Sequence, residues 1–240
     1  MLLEIAVFNI QSALTAASAG ADRIELCENP FDGGTTPSYG TLKKVIESIN
    51  IPVFPIIRPR GGDFLYSNEE FDIMKNDLLL AKDLGYEGAV LGLLQANGTV
   101  DTERTKRLVD IAYPLEITFH RAFDRASNPL EALEHIIDCG CSRILTSGQV
   151  PNAFDNKTLI KQLVEASDER IIIMPGSGVR SNNIQQLIEY TGATEVHSSA
   201  RKLIPSHMQF TVAGMEESLD NISVDVDEVR KMKAFINPVQ

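Results

Sequence analysis

Four stretches of the chain repeat one pattern, in which a glycine is followed within three residues by a short β-rich run. They are Gly20-Ala21-Asp22-Arg23-Ile24-Glu25-Leu26, Gly85-Tyr86-Glu87-Gly88-Ala89-Val90-Leu91, Gly140-Cys141-Ser142-Arg143-Ile144-Leu145 and Gly192-Ala193-Thr194-Glu195-Val196-His197. Glycine closes a helix readily in the left-handed conformation, so each stretch marks a helix ending and a strand beginning. Four further runs, residues 2–8, 53–57, 115–120 and 170–174, predict the intervening strands. The helices show in the polar punctuation. Ser67 and Glu70 form a capping box ahead of Phe71, Met74, Leu78 and Ala81, which recur at helical spacing until Gly85. Asn128 and Pro129 open a second helix with Leu130, Leu133 and Ile137 on one face, and Ser181 precedes a third carrying Ile184 and Leu187. Weaker periodicity predicts helices over residues 10–19, 41–49, 102–112 and 155–166.

Strands alternating with helices in about 200 residues predict an α/β fold, a (β/α)8 TIM barrel in a single domain. Residues 1–200 would form the barrel. Residues 201–240 would form a C-terminal extension packing on it, with a tail helix that starts near Asp225, has Glu228 in box position and stops before Pro238. Apolar residues make up 43% of the 240 and charged residues 23%, which excludes intrinsic disorder. The 33 acidic against 22 basic residues give a net charge of −11, which disfavours nucleic acid and anionic membranes as partners. No apolar stretch reaches the ~18 residues of a membrane span, and no leader is evident, so a cytoplasmic protein with a small-molecule partner is expected. Three cysteines, an odd number, fit a reducing compartment.

In a barrel of this kind the chemistry sits at the C-terminal ends of the strands. Alternation along a strand turns Arg23, Glu25 and Cys27, then Glu116, Thr118 and His120, then Glu195 and His197, toward the lumen. Arg23, Glu116 and Glu195 lie deep and read as a structural ion-pair network. Glu25, His120 and His197 lie near the mouth, where titratable groups gather for chemistry, and are the candidate catalytic residues. His135 and His207 read as surface or packing residues. The loop carrying Arg58, Arg60 and Gly61-Gly62, together with Arg121, suggests an anion clamp, since guanidinium forks match carboxylate and phosphate. The competing reading is that Arg58 and Arg121 neutralise Glu25, Asp63 or Asp124. Gly176 and Gly178 in the turn after strand seven, Ser198 after strand eight and Ser147 on the same rim add amides and hydroxyls suited to an anion. Cys27 belongs to the mouth, whereas Cys139 and Cys141 flank a helix cap at the opposite end and cannot share an ion with it; they read as small buried hydrophobes.

The segments Gly20 to Cys27, Pro37-Ser38-Tyr39-Gly40, Pro55 to Phe64, Thr118-Phe119-His120-Arg121-Ala122-Phe123-Asp124, Leu145-Thr146-Ser147-Gly148 and Glu195-Val196-His197-Ser198-Ser199 together resemble the CutC copper-homeostasis family over residues 2–199. The resemblance implies a cytoplasmic, oligomeric (β/α)8 barrel linked to copper tolerance and proposed to bind Cu(I), with Cys27 as the metal-ligating residue and a homodimer or higher homo-oligomer as the assembly. Family members proposed to bind copper carry a second cysteine in strand one, and this chain has Ala6 in that place. The alternative to copper handling is an enzyme acting on an anionic or phosphorylated small metabolite through the Arg, Glu and His residues of the mouth.

Overall fold

The computed structural model describes residues 1–212, 214–216 and 218–236. The alternation of apolar and charged residues decides which face of each strand is which. In β1 (Leu2–Val7), Leu3, Ile5 and Val7 are fully buried in the large core between strands and helices, while Glu4 faces the charged lumen. Arg23 lies beside Glu4 on β2 (Arg23–Leu26) and His197 on β8 (Glu195–Ser198), because β1 pairs in parallel with both. The strands β3 (Val53–Pro55), β4 (Gly88–Leu91), β5 (Glu116–Phe119), β6 (Arg143–Thr146) and β7 (Ile172–Pro175) complete the wall. Their order is β3-β2-β1-β8 in one half and β4-β5-β6-β7 in the other. A parallel bridge from Ile56 to Val90 joins β3 to β4, and β7 lies alongside β8. The expected (β/α)8 barrel is therefore the observed architecture.

Strand β7 begins two residues later than the sequence suggested. Arg170 turns back instead, its guanidinium gripping the Glu134 carboxylate with two bonds of 2.7 Å.

The outer ring is made by α1 (Ile10–Ala19), α2 (Tyr39–Ile46), α3 (Asn68–Asp83), α4 (Thr102–Ala112), α5 (Pro129–Asp138), α6 (Lys157–Ser167) and α7 (Ile184–Thr191). The Ser67/Glu70 capping box is present, and the four apolar residues of α3 named above are all buried. In α5 the buried stripe is Ala132, Leu133 and Ile136. Leu130, expected on that stripe, is half exposed. Ser181 does not open α7. Its amide and hydroxyl bind the Glu228 carboxylate at 2.8 and 2.9 Å, and the helix starts at Ile184.

That contact explains the role of the C-terminal segment. Strands β9 (Arg201–Ile204) and β10 (Asn221–Val224) pair antiparallel, then α8 (Val226–Ile236) packs against α1, α7 and β1. Asp225 caps α8 by accepting the amides of Asp227 and Glu228, which frees Glu228 to reach Ser181 instead of closing a box. Lys233 binds Asp22 at 2.5 Å, and the Asn9 amide donates to the Ile222 carbonyl at 2.9 Å. The extension expected to pack on the barrel thus carries the eighth helix of its ring. Pro238 lies outside the described residues. The sequence pattern missed β9 and β10, whose pairing joins segments about twenty residues apart.

One glycine is dictated by the lumen. Phe54 lies inside with the Arg23 and Arg143 guanidiniums 5.1 and 5.3 Å from its ring, and a Cβ on Gly88 would enter that ring and the Glu116 carbonyl. Gly88→Ala is expected to destabilise the fold by about 1–3 kcal/mol, the usual cost of overpacking, measured as a shift in the urea midpoint at constant slope.

Candidate active site

The floor of the lumen is a continuous ladder of ionic contacts. Arg143 binds Glu116 at 2.7 Å and Glu195 at 3.2 Å, and Arg23 binds Glu195 at 2.5 Å and also Glu4. His197 continues it upward, with Nδ1 2.8 Å from Glu4 and Nε2 3.8 Å from Glu25. Charges taken from water must be paired, and here each buried carboxylate of the ladder has a partner.

The two carboxylates beside His197 are driven apart. Burial works to raise the pKa of Glu4, but the His197 bond and the Arg23 charge outweigh it and hold the acid at about 2. Burial raises Glu25 to about 7, with the Glu4 charge adding to the rise and His197 only partly opposing it. Burial alone would lower the pKa of His197, yet its bond to Glu4 and the charge of Glu25 raise it. The result is a permanent carboxylate below, an imidazole between, and above it a carboxyl group poised to exchange a proton near neutrality.

His120 faces the opposite electrostatic balance. Burial, reinforced by the Arg58 charge, lowers its pKa to about 3, so the ring is neutral. Its Nδ1 accepts the Ala122 amide at 3.2 Å, which leaves the proton on Nε2. That N–H is buried without an acceptor, and so is the Nε of Arg58. Both side chains pack on Phe64: the Arg58 Cζ and the His120 ring centre each lie 5.0 Å from the Phe64 ring centre.

A cavity of about 540 Å³ opens above these groups. Glu25, His120, His197, Arg58, Arg121, Gly178, Ser198 and Cys27 all line it, as does Ala6. Arg60, Ser147 and Gly176 do not. Arg60 is drawn outward by Glu70 and Asp63, at 2.5 and 3.0 Å. Ser147 is buried beneath the rim, where it binds the Asp124 carboxylate and accepts from Arg121 at 2.8 Å. Gly176 packs under the side chains of Leu145 and His197.

The two readings of the arginines separate. Arg121 is neutralised by Asp124 at 2.8 Å, whereas Arg58 has no carboxylate partner among the described residues and is held by the carbonyls of Asp32, Gly34 and Gly62. Sequence reasoning missed Glu4, Arg143 and the cavity-lining Arg180 and Arg201. Glu4 was legible in the alternation Leu3-Glu4-Ile5-Ala6-Val7, which puts it on the face of Ala6.

The CutC family model matches residues 1–202. The chain belongs to the CutC family. It is 49% identical to a family protein CutC of Photorhabdus laumondii over 94% of this chain and 89% of that one, and 50% identical to one of Proteus mirabilis over 98% and 96%. A solved CutC from Streptococcus agalactiae, described as a candidate copper homeostasis protein, superposes with a TM-score of 0.79 at 36% identity over 83% of this chain and 98% of that one. Phosphoribosylanthranilate isomerase from Thermotoga maritima matches with a TM-score of 0.61 at 12% identity over 98% of both chains, which is a likeness of fold alone.

The donor set around Cys27 bears on the copper link of this CutC chain. Cys27 is buried against Phe54, Ile56 and Val90, and burial together with the Glu25 charge pushes its thiol well above the usual range. The Met174 sulfur accepts from Arg23 at 3.3 Å, His120 Nδ1 is occupied by an amide, and both nitrogens of His197 face carboxylates. Cys139 and Cys141 are buried elsewhere, the Cys139 thiol directed at the Thr102 carbonyl. Among the described residues no group of three His, Cys, Asp or Glu is arranged to hold an ion. Paired soft sulfur is what Cu(I) requires, and this set does not fit it.

Proposed function

We propose that the mouth is an active site for proton transfer next to a carbonyl group of a small anionic metabolite. The observation that carries this reading is the pairing of Glu25, whose pKa of about 7 lets it take and return a proton, with the acceptorless N–H groups of His120 and Arg58 on the same cavity. In the forward step the Glu25 carboxylate removes the proton from the carbon beside the carbonyl. The bonding pair moves into the carbonyl, whose oxygen becomes an enolate, and the His120 and Arg58 donors stabilise that charge. A neutral imidazole suits this task because its N–H approaches the acidity of the enol it serves. Glu25 then returns its proton to the same carbon while the pair flows back from the enolate oxygen to re-form the carbonyl, so the sequence is balanced without a co-reactant. His197 and Glu4 position Glu25 and set its affinity for the proton.

The test is a thermal-shift screen of small carboxylates and phosphorylated carbonyl compounds, followed by NMR detection of solvent deuterium entering any stabilising compound. A compound at 100 times its Kd stabilises by about 2.7 kcal/mol. Glu25→Gln is expected to keep binding while lowering exchange at least about 1,000-fold, and His120→Ala to lower exchange about 100-fold or more. Exchange at the normal rate in Glu25→Gln would refute the assignment.

The family's link to copper supports a second reading centred on Cys27. Because the neighbouring donors are committed elsewhere, we propose that Cu(I) binding is weak. Competitive titration of the reduced protein against a Cu(I) chelator is expected to leave the metal with the chelator. Stoichiometric retention abolished by Cys27→Ser would reinstate a dedicated copper site. Three unpaired thiols support a reducing, cytoplasmic setting, and among the described residues no helix is long and apolar enough to cross a membrane. A homodimer is proposed from the prevalence of two-fold assemblies, and a monomer mass in light scattering at micromolar concentration would reject it.

A further inference from the structure

We infer that the second pole of the cavity, built by the turns after β7 and β8, binds a phosphate monoester, so that the metabolite is a phosphorylated carbonyl compound. This rests on the proton-transfer reading for its reacting end, but its own evidence lies at the other side of the pocket.

The turn of Ser177, Gly178 and Val179 has an uneven distribution of hydrogen bonds. Each of its carbonyls is tied back to protein: Ser177 to the Ala153 amide at 3.0 Å, Gly178 to Asn183 Nδ2 at 2.9 Å and Val179 to Ser198 Oγ at 2.7 Å. Among the described residues none of its three amides has a protein acceptor, nor does the amide of Ser199, and all four residues line the cavity. Pulling the carbonyls back leaves the positive ends of successive peptides for a ligand, the arrangement of an anion-binding nest. The backbone is held there against its preference. Ser177 sits at φ 79°, fixed by a 2.7 Å bond from its hydroxyl to the Pro151 carbonyl, and Gly178 follows at φ 71°, where a Cβ would strike Asn152 at 2.5 Å.

Charge agrees with this. Arg180 and Arg201 line the same side, and among the described residues neither has a carboxylate partner; the Arg180 guanidinium donates to the Arg201 carbonyl at 3.3 Å. The carboxylates that line the cavity come from β2 itself (Glu25), from the segment after it (Asp32) and from the segment after β5 (Asp124). Two unopposed guanidiniums in a chain of net charge −11 mark a local anion site. Four amides and two forks offer more donors than a carboxylate's two oxygens use, whereas the three terminal oxygens of a phosphate match them. On the facing wall Arg58 and His120 line the same cavity, and their Nε and Nε2 atoms lack hydrogen-bond acceptors, which suits them to a carbonyl end of the ligand. The pocket therefore suits a ligand with a phosphate at one end and a carbonyl oxygen at the other.

The experiment is 31P NMR and calorimetric titration of the full chain with glycerol 3-phosphate, inorganic phosphate and glycerol. Saturable binding of glycerol 3-phosphate is expected, with inorganic phosphate competing at the same site and glycerol inert. Arg180→Gln and Arg201→Gln, both at solvent-accessible positions, are each expected to weaken it at least 10-fold, and Lys106→Gln, on the outer surface, to change it less than 2-fold. Absence of saturable phosphate binding, or binding unaltered in the Arg180→Gln/Arg201→Gln double variant with a native circular dichroism spectrum, would overturn the inference. Tight binding of inorganic phosphate alone, with glycerol 3-phosphate excluded, would also overturn it. The two proposals fail separately. Glu25-dependent deuterium exchange confined to unphosphorylated acids removes the phosphate pole only, while phosphate binding without exchange in any bound carbonyl compound removes the proton-transfer reading only.

Discussion

Replacing Arg23 with alanine is expected to cost about 3–5 kcal/mol of folding stability, the largest effect of any single substitution in the lumen. Arg23 is 3% exposed and lies between two carboxylates, Glu4 and Glu195, that are themselves buried. Removing it leaves Glu4 with His197 alone and Glu195 with Arg143 alone, and neither lost bond can be replaced by bulk water. The cost arises from uncompensated charge more than from lost attraction. A triple variant, Arg23→Met with Glu4→Gln and Glu195→Gln, should accordingly recover much of the loss, because a buried ionic set often breaks even against neutral side chains. Urea denaturation monitored at two wavelengths would measure both. A cost below about 1 kcal/mol for Arg23→Ala would show that the ladder is not what holds the lumen. Arg23 also lowers the proton affinity of Glu25, so its loss should move any Glu25-dependent rate profile to higher pH.

The second large effect is an abrupt loss of stability in acid after a plateau. His120 is held at about 3 against an ordinary 6.5, so the unfolded chain binds its proton first and stability falls as pH drops from 6.5 to 3. Glu25 has the opposite sign. Its pKa of about 7 against 4.5 means the folded chain holds the extra proton, and stability is lost as pH rises from 4.5 to 7. Between 4.5 and 6.5 the two nearly cancel. Below 4.5 Glu25 is protonated in both states and stops compensating, while Glu4, held at about 2, begins to favour the unfolded chain alongside His120. Two protons taken up on unfolding give a slope of about 2.7 kcal/mol per pH unit. Above 6.5 Glu25 and the raised His197 both reduce stability as pH increases. His120→Gln should turn the plateau into a rise on acidification, with Glu25 left unopposed. A plateau unchanged in that variant would show that His120 is not the group responsible.

Much of the site could be read from strand alternation. That Glu25, His120 and His197 line one cavity was legible because each lies at or just past the C-terminal end of a short strand in a barrel whose glycine-capped repeats were plain. Glu4 escaped because β1 reads first as an apolar run, and its importance depends on β2 and β8 lying on either side of it. The state of an arginine is less legible. Arg58 and Arg60 are two residues apart with similar flanks, yet one is surrounded by carbonyls and the other by Glu70 and Asp63, a difference set by how two loops meet. Nor does sequence reveal which peptide groups of a Gly-Ser-Gly turn stay unpaired. That depends on Asn183, Ala153 and Ser198 claiming the carbonyls.

The closure of the ring sets the order in which the protein can be made. Strand β1 leaves the ribosome before the other strands of the ring, but its second partner, β8, emerges only after residue 195, and the segment that covers the seam follows it, fastened by Lys233 of α8 to Asp22 and by Ile222 of β10 to Asn9. Contacts spanning more than 200 residues close late, since the chain must lose its freedom before they form. Until then one flank of β1 is an unpaired edge carrying Leu3, Ile5 and Val7, the kind of surface that recruits neighbouring chains. Nascent chains halted before β8 should therefore be the aggregation-prone species and the natural clients of chaperones, while a permutant that begins at β9 would place the covering helix ahead of β1 in the order of synthesis.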